Sequence, residues 1–437
     1  MSSAPLPPGP RGAAAAQTLL QLARDPLTAM PMLVQRYGDV VYVGTAGITF
    51  YLINHPDLVR ELLVVHADDV RKPRSTSRPV ADFTGSGLLV SDRALWQQQR
   101  RTIQPAFHAR LVEGYAQEIV RCADVVMNDW QPGRVYDIEI EMMRMTLMMV
   151  THTLFESDLD DARELMADIV HTLWEVSSFQ GLLPFSVPRW LPVAGNAAKW
   201  RAIARLNTLI DRLLARAQSR SSATSLVTML QSAGLDAQQQ RDEIITVLLA
   251  GHESTANALT WTWHLLAQHS EARARLEDEI ATVLGGRTPT ADDVGLLPYT
   301  EMVVKEALRL YPPAWGLPRE TITEFALDGY RIQRGAMVVV APYVLHRDAR
   351  LYPQPDAFLP ERFADGAGDV SPFAYLPFGA GPRFCVGMPF ALLALRLIVA
   401  RVTQRFRLEA TAETQVRLAP LLTLRPRDGL RLQVVSL

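Results

Sequence analysis

The chain is short of three things, and each shortage excludes a class of protein. Cysteine appears only twice in 437 residues. Two thiols cannot make the disulfide framework of a small secreted protein, and such sparing use suits a reducing cytoplasm. Neither sign of charge dominates, since 44 Lys and Arg stand against 46 Asp and Glu for a net charge of −2. That balance leaves no global basic field for nucleic acid. No uninterrupted apolar run reaches the roughly 18 to 20 residues of a membrane-spanning helix. The segment Gly12–Ala23 comes nearest to a secretion signal, but Gln17 and Gln21 interrupt it and no strong basic flank or cleavage site accompanies it. It reads as a first amphipathic helix of a soluble protein.

What is present is apolar content, 48% of the chain. Length alone would suggest about three domains, yet no break in composition divides the sequence. The expectation is a flexible proline-rich arm over residues 1–11 and a single domain over 12–437. Short strands are expected at Tyr37–Val43, Ile48–Ile53, Phe325–Ile332, Met337–Pro342 and within Val416–Val435. Helical periodicity covers Leu95–Ile103, Leu111–Trp130, Glu139–Phe155, Leu159–Val176, Ala197–Gln218, Ala237–Gln268, Ser270–Leu284, Tyr299–Leu310 and Met388–Phe406. The fold class is mainly α with a minor β component. Ser177–Ala198, rich in proline and aromatics, reads as a long loop, either a plain surface loop with a hydrophobic plug or a functional one.

The most informative stretch is Phe378–Gly387, FGAGPRFCVG. Its physical logic is that of an anionic ligand loop. Gly379, Gly381 and Gly387 permit positive φ and close backbone approach around Cys385. The helix predicted from Met388 would favour the thiolate through its N-terminal amides. Pro389 suits a first-turn position, and Arg383 offers a fixed cation to a carboxylate of the bound group. Cys122, in a helical stretch, reads as an ordinary core thiol.

This motif, Phe-Gly-x-Gly-x-Arg-x-Cys-x-Gly, resembles the haem-ligand loop of the cytochrome P450 family. The resemblance implies a long central helix over the haem, a cysteine-ligand loop before a C-terminal helix, and Cys385 as the axial ligand of haem b. Three further strings fall in the family's order. Ala250–Thr255, AGHEST, resembles the oxygen-activation motif, with Ala250 and Gly251 against the haem and Glu253, Ser254 and Thr255 as catalytic residues. Ser254 departs from the usual Thr there, so it keeps the hydroxyl but loses the β-branch that restricts χ1. Glu306 and Arg309, with Arg362 in a Pro-Glu-Arg-Phe string, match the family's structural triad. Trp96 and Arg100, four apart on one helical face, match a pair that binds a haem propionate, with Arg319 as a third partner. Taken without that context, Trp96 and Arg100 read as a core indole beside a surface guanidinium.

The long helix supports this on its own terms. Between Ile244 and Ala267 its only ionisable residues are His252, Glu253 and His264, and a carboxylate in so apolar a helix is costly unless it is used. Ser254 and Thr255 are expected to bond back to carbonyls four residues earlier and loosen the helix near Gly251. His252 is given no catalytic role, and His346 reads as a structural surface or turn histidine. In the family's frame Ser177–Ala198 roofs the substrate pocket, whose matching positions Phe83, Leu88, Ala250, Ala314, Gly316, Leu317 and Leu421 carry no charge.

The implied activity is insertion of one oxygen atom of O2 into a C–H or C=C bond of a small lipophilic substrate: a terpenoid, fatty-acid derivative or other secondary metabolite. Electrons would come from a separate ferredoxin or flavodoxin with its reductase. The expected protein is a cytoplasmic monomer. A peroxide-dependent peroxygenase or isomerase on the same fold and a non-enzymatic haem sensor are the alternatives.

Overall fold

In a computed structural model, the structure describes residues 4–157, 163–181, 187–220, 225–366 and 371–437. The chain forms two compact, discontinuous units, Met1–Ser77 with Arg309–Ala357 and Gly368–Cys385, and Arg78–Leu308 with Phe358–Ala367 and Val386–Leu437.

The first unit is organised by a five-stranded sheet, in the order Val40–Gly44, Thr49–Ile53, Met337–Val340, Leu317–Thr321 and Val70–Arg71. Thr49–Ile53 pairs in parallel with Met337–Val340, with Phe50 opposite Met337, and the other pairings are antiparallel. Its central strands are continuous apolar runs because both faces are covered. Tyr51, Ile53, Val338 and Val340 face one core with Leu62 and Leu376, while Val41, Leu52 and Val339 face another with Ala15 and Met30. From Pro5 the proline-rich arm is extended but tied down, because Tyr42 N–H donates to Pro8 O, Gly44 N–H to Pro10 O and Arg331 N–H to Pro5 O. Proline keeps its acceptor carbonyl, which is why such a run can still line a strand edge.

The second unit is helical. The expected helix at Leu111–Trp130 is two, Ala109–Gly114 and Ala116–Met127, interrupted at Tyr115 after the poor helix former Gly114. Helix Arg163–Gly181 replaces the expected Leu159–Val176, of which residues 159–162 lie outside the described set. The single C-terminal strand region is three strands: Leu418–Pro420 and Leu424–Pro426 form a hairpin, and Arg431–Ser436 lies between Val135–Asp137 and Phe406–Ala410. The 32-residue helix Ala237–Gln268 is capped by Asp236, which accepts from Gln239 N–H. Nearly every residue from Asp242 to Leu266 is buried, and helix Ile138–Leu154, rich in methionine, packs against it.

One buried cation joins three elements of this unit. Lys199, fully buried, donates to Pro79 O at 2.8 Å, Asp82 Oδ2 at 2.6 Å and Gln180 Oε1 at 2.8 Å. It thereby links helices Arg74–Thr84, Arg163–Gly181 and Asn196–Arg220. The expected long loop is shorter than Ser177–Ala198, because helix extends through Gly181 and restarts at Asn196; residues 182–186 lie outside the described set. No helix among the described residues is long and apolar enough to cross a membrane.

Candidate functional site

The cysteine loop is built by its own backbone. Cys385 N–H donates to Phe378 O at 2.9 Å, closing the loop, and Phe384 N–H bonds Gly381 O. Gly379 and Gly381 take φ of 72° and 70°. A Cβ on Gly381 would stand 2.1 Å from Leu63 O, so glycine is required there twice over. Gly387 differs from expectation: its φ is −86°, and it serves as the N-cap of helix Met388–Thr403, where Pro389 occupies the first turn. Phe378 and Arg383 are half-buried, and Cys385 is exposed. That exposure is unusual for a residue type that packs like a small hydrophobe. Cys122 by contrast is buried in helix Ala116–Met127, its Sγ 3.6 Å from Glu118 Oε1.

The same unit places Arg319 on strand Leu317–Thr321, buried, with Nη1 donating to Pro318 O at 2.9 Å. Leu317, Gly316 and Ala314 precede it and are half-buried. Arg309 is fully buried and donates to the carbonyls of His346, Pro355 and Ala357. His346 is not at the surface. Its Nε2 accepts from Leu376 N–H at 2.7 Å, which leaves Nδ1 to carry the proton and donate to Arg309 O at 3.1 Å. Burial holds its pKa down at about 3, so it is a neutral clamp fastening the segment before the cysteine loop.

In the helical unit, Glu306 is fully buried and its Oε1 accepts from Leu359 N–H at 2.9 Å and Arg362 Nε at 3.3 Å. Trp96 is half-buried and Arg100 buried on helix Arg93–Ile103, with Arg100 Nε 3.4 Å from Gln104 Oε1. Gln99, between them, accepts from Ser91 Oγ and donates to Ser86 O, fixing the preceding loop. That loop is fastened to the start of the long helix: Ser86 N–H donates to Asp242 Oδ2 and Leu88 N–H to Glu243 Oε2. A Cβ on Gly87 would lie 2.0 Å from Thr246 Oγ1, so only glycine allows this approach. Phe83 is buried edge-on to Trp174 at 5.1 Å, while Leu88 and Leu421 are half-buried.

The middle of the long helix has one accessible face. Ala250 is exposed and Gly251 and Ser254 are half-buried, at the spacing that puts them side by side. Ser254 Oγ bonds back to Ala250 O at 2.7 Å as expected, yet the helix stays α-helical throughout Ala237–Gln268, so no break opens at Gly251. Thr255 is buried. Glu253, 1% exposed, accepts from Thr423 Oγ1 at 2.5 Å through Oε1, while Oε2 has no partner among the described residues. Burial raises its carboxyl to about 8 against the lowering pull of Thr423 and Arg425. A neutral, proton-bearing acid therefore lies next in sequence to an accessible hydroxyl. His252 is also buried, and desolvation lowers it to about 4, so it stays uncharged.

Thr423, Asn257 and Arg425 were not singled out from the sequence. Asn257 Nδ2 donates to Thr423 Oγ1 at 3.0 Å and Trp261 Nε1 to Leu424 O at 2.9 Å, so the C-terminal hairpin is stitched to the long helix. Arg425 Nε lies 3.2 Å from Glu139 Oε1, whose carboxyl burial raises to about 7. Only the unusual asparagine and tryptophan on an apolar helix hinted at such a partner.

The donors of the first unit suit an iron porphyrin with carboxylate arms, since it carries an exposed soft sulfur, Cys385, and a buried guanidinium, Arg319. The helical unit by itself offers a second buried guanidinium, Arg100. The comparisons agree. A family model described as Cytochrome P450 matches residues 7–433. Cyclooctatin synthase of Streptomyces melanosporofaciens is 36% identical over 430 residues, 95% of this chain and 92% of the relative. Cyclooctat-9-en-7-ol 5-monooxygenase of the same organism is 34% identical over 415 residues, covering 90% and 88%. Among solved structures, CYP175A1 from Thermus thermophillus superposes with a TM-score of 0.80 at 26% identity, covering 98% of this chain and all of that one.

Proposed function

The chain belongs to the cytochrome P450 family and is a haem-thiolate monooxygenase, and from that premise we propose what its own residues do. Members of the family bind haem b through a cysteine thiolate, and when bound that group supplies the activation of O2. The balance is one O2, two electrons and two protons per substrate, giving hydroxylated (or epoxidised) product and water. Cys385 would hold the iron of that group through its sulfur, with Phe378 and Arg383 shaping its loop. Trp96, Arg100 and Arg319 would hold its carboxylate arms. Ala250 and Gly251 present the accessible helix face.

Protons reach that face from Glu253 through Ser254. The accessibility of Ser254 supports it over the buried Thr255 as the hydroxyl that hands the proton on. Glu306, Arg309 and Arg362 are structural, holding the fold before the ligand loop. Phe83, Leu88, Ala250, Ala314, Gly316, Leu317 and Leu421 contact substrate. Their uncharged character, with relatives named for work on cyclooctatin and cyclooctat-9-en-7-ol, supports a lipophilic terpenoid over a fatty-acid derivative. The electron donor is a ferredoxin or flavodoxin with its reductase, and the protein works as a cytoplasmic monomer with 12–437 as one catalytic domain.

The observation that carries this reading is the exposed Cys385 within FGAGPRFCVG. The test is the absorption spectrum of the reduced protein under carbon monoxide. A strongly red-shifted Soret band, absent in Cys385→Ala, is the expected result. A band at the position of ordinary haem–CO would overturn the thiolate assignment, and product formation from peroxide with no reductase would favour the peroxygenase reading.

A further inference from the structure

The Glu253 carboxyl is asymmetric in a way that its own helix does not explain. Oε1 accepts the Thr423 hydroxyl, and Oε2 is buried with no partner among the described residues. A hydroxyl has one hydrogen to give and lone pairs with which to accept. Asn257 Nδ2 donates to the Thr423 oxygen from one turn further along the same helix, which occupies a lone pair and leaves the hydroxyl hydrogen aimed at Glu253. Donation runs from Asn257 to Thr423 and from Thr423 to Glu253 Oε1.

We infer that Thr423 is the positioning residue for proton delivery, set by Asn257 so that the exchangeable proton of Glu253 is carried on Oε2. This rests on the reading that Glu253 supplies protons. When the proton leaves Oε2 the carboxylate keeps the Thr423 hydrogen bond on Oε1, and a proton from solvent restores the acid. Thr423 lies in the sharp connection between strands Leu418–Pro420 and Leu424–Pro426, and Trp261 Nε1 holds the next carbonyl, Leu424 O, so the hydroxyl sits on a fixed support. The charged groups that act on the carboxyl are Arg425 from the same hairpin and Glu139 from helix Ile138–Leu154, and the adjacent His252 is neutral. None of them is altered by a change at position 423 or 257. A serine suffices chemically at 423, whereas valine keeps the shape and removes the donor.

The test is the infrared C=O stretch of the buried acid in the holoprotein, identified as the band missing from Glu253→Gln, followed across pH. Thr423→Val is expected to move the band to higher frequency. It should also raise the midpoint at which the band disappears by about one to two pH units, the worth of one hydrogen bond to a charged carboxylate. Thr423→Ser should restore both. Asn257→Ala is expected to produce part of the shift and to add nothing in the Thr423→Val background, as coupled partners do. In turnover, Thr423→Val should divert reducing equivalents to peroxide and lower product per electron pair several-fold. A band and midpoint unchanged in a folded Thr423→Val protein would overturn the inference. If the band shifts but Glu253→Gln couples electrons to product like the parent, the positioning stands and the proton-delivery reading of Glu253 falls.

Discussion

Glu306 and Glu253 are the same residue type, at nearly the same burial, and they are held in opposite ways. Glu306 receives a backbone N–H and the guanidinium of Arg362 on one carboxyl oxygen. Glu253 receives one hydroxyl, and its carboxyl is pushed up to about 8. Partners rather than depth decide which buried acid is an anchor and which can trade a proton.

The largest test of this contrast is Glu306→Ala, which removes an acceptor shared by Arg362 and the Leu359 N–H. It should cost about 3–5 kcal/mol of unfolding free energy, measured in urea; a cost near zero would place Glu306 in the same class as Glu253. Glu253→Gln should instead leave the fold intact and lower coupled product formation by tenfold or more. Its effect on stability has a predictable sign. Because the native carboxyl titrates near 8 and the unfolded one near 4.5, the native state holds the extra proton between those values. The parent's stabilisation is complete below about 4.5 and is lost as pH rises through 8. The stability of Glu253→Gln relative to the parent should therefore climb between pH 5 and pH 8, by more than about 1.4 kcal/mol. A flat difference would mean that Glu253 is charged in the native protein.

A third buried ionisable side chain sharpens the comparison. Lys199→Met removes a donor shared by three acceptors and should destabilise by about 1–3 kcal/mol, read in the same urea experiment. The smallest effect is expected from Thr255→Ala. Its loss of coupled turnover should be clearly less than that of Ser254→Ala, and the reverse order would transfer proton delivery to the buried hydroxyl.

How much of this the sequence revealed follows from how far apart the partners are. The cysteine loop was legible because its chemistry is compressed into ten consecutive residues, although Gly387 proved to be a helix cap in place of a left-handed turn. The long helix was legible from periodicity and from the one carboxylate in its apolar centre. What supports that carboxylate was not, because Thr423 is 170 positions away and lies in a hairpin with no distinguishing local pattern. Of the two readings of His346 the turn holds and the surface does not, for the same reason: its burial shows only when the Leu376 amide and the Arg309 carbonyl are brought to its two nitrogens. The break at Tyr115 was missed because apolar spacing continues across it.

Lys199 has one more consequence. Its three hydrogen bonds go to three helices, and its ammonium has no exposed surface. Any widening between Arg74–Thr84 and the helices Arg163–Gly181 and Asn196–Arg220 must break strong bonds before water can reach the charge and compensate. Parting these helices costs all three bonds of one ammonium together, so a single side chain resists separation at three points.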